Sequence, residues 1–106
     1  MFLCRLCIQG TFNTMCEAAT RLADNGSIIN FSTSVNRIML PTYSTYVATK
    51  AAAEQLTRVF SKEVGARGIN VNSVSPGPTN TELFTKGKPQ VLQLHSTLYN
   101  YSMELL

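Results

Sequence analysis

The stretch that decides the fold is STYVATKAAAEQLTRVFSKEVGARGINVNSVSPG, residues 44–77. Its first part places Ala48, Ala52, Leu56, Val59 and Phe60 on one stripe and Glu54, Arg58 and Lys62 on the far side. That spacing is an amphipathic helix of roughly twenty residues, which Gly65 should end. Ile69 to Val74 then reads as a strand, stopped by Pro76 and Gly77, which cannot continue a central strand. Upstream, SIINFS at residues 27–32 is a second short β-branched and aromatic run, with hydrophobic residues on both faces as in a buried parallel strand. Strand, helix, strand makes one βαβ unit, and that connection implies parallel pairing.

Ahead of the first strand, Phe12, Met15, Cys16, Ala19, Leu22 and Ala23 recur at three- and four-residue intervals between Gly10 and Ala23. Glu17, Arg21 and Asp24 fall between them, giving a second amphipathic helix that Asn25 and Gly26 should stop. The order helix–strand–helix–strand assigns the chain to the α/β class, as a Rossmann-like parallel sheet fragment. Beyond Phe84 periodicity is weak; residues 90–98 are expected as a short helix, and no third strand is expected.

The 106 residues suffice for one small domain. A hydrophobic fraction of 44% against 14% charged suits a chain that buries much of itself. Nine Lys and Arg against six Asp and Glu give a net charge of +3, but the basic residues are scattered from Arg5 to Lys88 without a run or an aromatic stripe. Nucleic-acid binding therefore finds no footprint. Arg5 interrupts the apolar opening MFLCRLCIQG, and no apolar run reaches the roughly 20 residues of a membrane-spanning helix. A cytoplasmic protein without membrane association is expected. Cys4, Cys7 and Cys16 are odd in number, which suits a reducing compartment. Drawn with His95 they sketch a zinc site, but the lone distant histidine argues for inert, buried thiols and no metal.

Within the long helix, Tyr46 and Lys50 lie four residues apart, off the Ala48–Leu56–Phe60 stripe. The core does not require them there. An ammonium one turn from a phenol favours the phenolate and should lower its pKa from about 10, which makes the phenol a candidate general acid or base. The STS cluster at residues 32–34 ends the first strand, where Ser and Thr hydroxyls also serve turn chemistry. In an open α/β sheet ligands sit beyond the carboxyl ends of the strands, where the strand-end hydroxyls, Tyr46 and the segment after Ser75 would converge.

GSIINFSTS followed by YSTYVATKAAAEQLTRVFSKEVGARGINVNSVSPGPTNTEL resembles the central portion of a short-chain dehydrogenase/reductase, with the likeness running from about Gly10 to Lys88. The resemblance implies hydride transfer between a nicotinamide dinucleotide and a carbonyl or alcohol. Carried over, Tyr46 exchanges a proton with the substrate oxygen, and Lys50 depresses the tyrosine pKa and holds the nicotinamide ribose. The carbonyl-polarising hydroxyl falls thirteen residues before the tyrosine, on Thr33, where the family has serine; Ser34 is the alternative. Pro76, Gly77, Thr79 and Thr81 go to the nicotinamide side, Thr81 toward the carboxamide or a phosphate.

The sequence also departs from the family. Its glycines at 10, 26, 65, 68, 77 and 87 form no Gly-rich turn for the pyrophosphate. The cofactor is thus NAD or NADP, with NADP favoured and no residue present that separates them. Cys7 stands where the family places an asparagine, three residues before Gly10. Residues 1–88 are expected as a partial Rossmann-like domain and 89–106 as a segment without assigned structure, with the whole a truncated form. Two parallel strands leave sheet edges and apolar faces uncovered. A homo-oligomer, or association through the two long helices, would cover part of them. The competing readings are a non-catalytic interaction module and a zinc or redox protein on Cys4 and Cys7.

Overall fold

The computed structural model describes residues 2–77 and the pair Glu104–Leu105. Helical backbone opens the chain. A π-helical stretch at Cys4–Gln9 leads into α1 (Gly10–Arg21). At the junction Gly10 N–H donates to Arg5 O, five residues back, and the Thr11 hydroxyl donates to Cys7 O at 2.7 Å. Strand β1 (Ser27–Phe31) follows, then a one-turn helix α2 (Val35–Ile38), the long helix α3 (Ser44–Glu63), and strand β2 (Asn70–Ser75). A short strand β3 (Glu104–Leu105) pairs antiparallel with the end of β2, which the sequence reading did not foresee. The expected helix at 90–98 lies outside the described residues.

Strands β1 and β2 pair in parallel, with Ser27 opposite Asn70 and Phe31 opposite Val74, as the βαβ pattern requires. The ladder continues past both ends: Asn70 N–H donates to Gly26 O at 3.0 Å, and Ser32 N–H donates to Val74 O at 2.8 Å. The pleat sends Ile28, Asn30 and Ser32 toward α3, where Asn30 Nδ2 donates to Thr57 Oγ1 at 2.9 Å. Ile29 and Phe31 point the other way and are 57% and 64% exposed. The expectation of a strand buried on both faces therefore fails: α1 and α3 both pack on one side, and nothing among the described residues covers Ile29 and Phe31 on the other.

The apolar core gathers Met15, Phe60, Val64, Ile69 and Val71, with Ala18, Ala19, Leu22, Ile28 and Leu56 packed against it. It fills the space between α1, α3 and the amino-terminal half of the sheet. Of the stripes read off the sequence, Met15, Ala19, Leu22, Leu56 and Phe60 do pack into the core, but both helices are turned in part from the expected face. In α1, Phe12 and Cys16 are exposed and Met15 is buried. In α3, Val59 and Ala48 are exposed, whereas Thr49, Ala53, Thr57 and Phe60 are buried. Polar threonine can occupy a buried helix face because its hydroxyl satisfies itself on the preceding turn: Thr49 donates to Tyr46 O at 2.7 Å and Thr57 to Ala53 O at 2.8 Å. The thiols do not follow expectation either: Cys4 and Cys16 are exposed and Cys7 half-buried.

Helix α3 ends at Glu63, one turn before the left-handed residue that closes its connection to β2. Gly65–Arg67 form a 3₁₀ turn, and Gly68, at φ 68°, takes the positive φ. Gly65, expected to end the helix, instead begins that turn. Arg67 then clasps the end of α1: its Nη1 donates to Ala19 O at 2.6 Å, its Nη2 to Leu22 O, and its Nε pairs with Asp24 Oδ1 at 2.8 Å. Unsatisfied carbonyls of one helix end are thus met by a side chain from the turn after another. Among the described residues no helix is long and apolar enough to cross a membrane.

Candidate active site

The core changes character along the strands. At their amino-terminal ends it is aliphatic; toward their carboxyl ends the interior is lined by Thr49, Ser32, Thr33, Ser73 and Ser75, all buried. Hydroxyl groups repay burial only when hydrogen-bonded, and most of these are. The polar end lies where the parallel strands stop, the position at which open α/β sheets bind ligands.

Tyr46 sits in the first turn of α3 and Lys50 in the next, both half-buried. The Tyr46 ring meets Tyr43 edge to face, with centroids 6.3 Å apart, which holds the phenol at the helix start. Lys50 reaches across to the sheet, and its Nζ donates to Phe31 O, the last carbonyl of β1, at 3.0 Å. The helix and the strand end are therefore joined through the ammonium itself.

Immediately after β1 the three hydroxyl residues part company. Ser32 is held by α3, its Oγ donating to Glu54 Oε1 at 2.5 Å with Lys50 O a further 3.4 Å neighbour. Thr33 is 7% exposed, and its Oγ1 accepts Val35 N–H at 3.3 Å. This leaves the hydroxyl proton of Thr33 available to another acceptor. Ser34 is half-buried, makes no side-chain cap bond to α2, and donates its backbone N–H to Pro76 O at 3.2 Å. That last bond brings Pro76 beside the hydroxyl turn, and Gly77 follows it. Thr79 and Thr81 lie outside the described residues. Sequence reasoning missed Glu54, which it placed on a solvated face; the i, i+4 series Tyr46, Lys50, Glu54 was the available signal.

A family model described as enoyl-(acyl carrier protein) reductase matches residues 3–102. A short-chain type dehydrogenase/reductase of Picea abies is 39% identical over 84 residues, covering 77% of this chain and 31% of that protein. An NADPH-dependent aldehyde reductase-like protein, chloroplastic, of Arabidopsis thaliana is 39% identical over 88 residues, covering 80% and 33% respectively. Among solved structures, a protein of Burkholderia cenocepacia described as a dehydrogenase, with bound NADP, superposes with a TM-score of 0.78 at 36% identity, over 86% of this chain and 35% of that one. The chain spans about a third of the length of these curated relatives.

Proposed function

Because the chain belongs to the short-chain dehydrogenase/reductase family, we propose that it carries the proton-transfer segment of an oxidoreductase acting on a small carbonyl or alcohol. The observation that carries this reading is the Lys50 ammonium on the last carbonyl of β1, one helical turn from Tyr46 and beside the Thr33 turn. Tyr46 gives its phenolic proton to the carbonyl oxygen during reduction and takes it back during oxidation. Thr33 donates its free hydroxyl proton to the same oxygen; its thirteen-residue spacing from Tyr46 and its accepting bond from Val35 favour it over Ser34. Lys50 has three N–H donors, and with one on Phe31 O the other two are free to hold ribose hydroxyls.

The donor set suits the nicotinamide end of a dinucleotide: Tyr46, Lys50, Pro76 and Gly77 border the strand ends, with Thr79 and Thr81 next in sequence. When bound, that cofactor supplies or accepts the hydride. NADP is favoured, on the strength of an aldehyde reductase-like relative named as NADPH-dependent and a structural neighbour holding NADP. The partial domain at residues 1–88 provides this end of the site.

The test is titration of the purified chain with NADPH, followed by nicotinamide fluorescence and by NADPH consumption with a small aldehyde. Saturable binding, with consumption lost in Tyr46→Phe, is the expected result. A folded chain that binds no NADPH overturns the reading for these residues.

A second reading, an interaction module that docks on another polypeptide or a second copy, is favoured by the sheet face of Ile29 and Phe31, which none of the described residues covers. A monodisperse monomer in sedimentation at micromolar concentration would count against it.

A further inference from the structure

Glu54 belongs to no part of the chemistry assigned so far, yet its carboxylate is half-buried at the polar end of the core. One oxygen, Oε1, accepts from three elements at once: Ser32 Oγ after β1 at 2.5 Å, Asn36 Nδ2 in α2 at 2.9 Å, and Ser75 Oγ at the end of β2 at 3.3 Å. Asn36 Nδ2 also donates to Ser32 Oγ at 3.1 Å, which closes the group. We propose that Glu54 is a positioning residue that fixes the turn carrying Thr33 against the Tyr46–Lys50 helix.

Three features support that role over simple packing. Tyr46, Lys50 and Glu54 follow one another at four-residue spacing along α3, so the carboxylate continues the row that carries the proposed proton donor and ammonium. Its partners are the immediate neighbours of the groups it would place. Ser32 precedes Thr33, Asn36 follows the Val35 whose N–H holds Thr33 Oγ1, and Ser75 precedes Pro76. Finally, Asn36 Oδ1 is buried without a hydrogen-bond partner among the described residues. An amide that leaves one acceptor unsatisfied is being held by its other end, and that end is on Glu54 and Ser32. Charge-assisted bonds to a carboxylate are about twice as strong as neutral ones, which suits a fastening made of short side chains.

The meaning of the fastening for catalysis rests on the dehydrogenase reading; the fastening itself does not, and the experiment separates the two. In the purified chain, backbone amide exchange is followed by NMR at Ser32 and Ser34, whose N–H groups bond Val74 O and Pro76 O, and at Asn25 and Asn70 at the opposite end of the sheet. Glu54→Leu should accelerate exchange at Ser32 and Ser34 at least tenfold while Asn25 and Asn70 stay within twofold. Glu54→Gln, which keeps the shape and an acceptor oxygen, should restore most of the protection. Unchanged exchange at Ser32 and Ser34, or equal acceleration at both ends, overturns the proposal. In NADPH-dependent carbonyl reduction, Glu54→Leu should lower kcat about fivefold to tenfold with KM within twofold, and Glu54→Gln should recover most of the rate; a rise in KM alone overturns it as well. A wild-type chain that binds no NADPH refutes the dehydrogenase reading, and the exchange measurement then decides the role of Glu54.

Discussion

Lys50 Nζ donates to Phe31 O over 3.0 Å, so the helix that carries Tyr46 is moored to the last residue of β1 by a charged group. The bond fixes where the ammonium stands relative to the hydroxyl turn beginning at the next residue. A lysine held in this way needs only one of its three N–H donors for the mooring.

Replacing Tyr46 by Phe removes the phenolic proton and leaves the edge-to-face contact with Tyr43 in place. The expected loss is about 10²–10⁴ in the rate of carbonyl reduction, the usual contribution of a positioned acid. Far-ultraviolet circular dichroism should be unchanged. Activity within threefold of wild type would remove Tyr46 from the mechanism.

Thr33 and Ser34 are separable by their partners, because Thr33 Oγ1 accepts from Val35 and retains a free proton. Thr33→Val should reduce kcat at least tenfold more than Ser34→Ala, and Thr33→Ser should recover most of the rate. The reverse order would move the polarising hydroxyl to Ser34.

Phe60 is 7% exposed and joins α3 to Met15 of α1 and Val71 of β2. Phe60→Ala should lower stability by about 3–5 kcal/mol, combining lost burial and a residual cavity. Urea unfolding followed by circular dichroism measures it. A loss below about 1 kcal/mol would mean that this apolar cluster does not hold the helices on the sheet.

Two left-handed positions predict opposite signs. At Gly68, φ is 68° and an added Cβ would lie 2.3 Å from Asn25 Oδ1, so Gly68→Ala should destabilise by about 1–3 kcal/mol. Thr42 holds φ 73° with a β-branched side chain. Thr42→Gly should stabilise by about 0.5–1 kcal/mol, the left-handed cost being partly offset by the freedom glycine adds to the unfolded chain. Thermal unfolding of both variants checks the signs, and a shared sign would contradict the argument from backbone strain.

The sequence by itself determined the βαβ unit, its parallel pairing, and the Tyr46–Lys50 pair on one helix, because strand and helix periods and the Pro76–Gly77 stop are local properties of the chain. Helix faces were only half legible. Hydropathy assigns threonine to solvent, whereas Thr49 and Thr57 are buried by bonding their own preceding turn. Only the tertiary structure decided three further points: that Ile29 and Phe31 face a side no described residue covers, that Arg67 closes α1, and that Glu54 gathers Ser32, Asn36 and Ser75. Those relationships join residues about twenty to fifty positions apart, and no local period encodes them. They exist because folding brings the carboxyl ends of two parallel strands beneath one helix, where buried hydroxyls and amides must find partners.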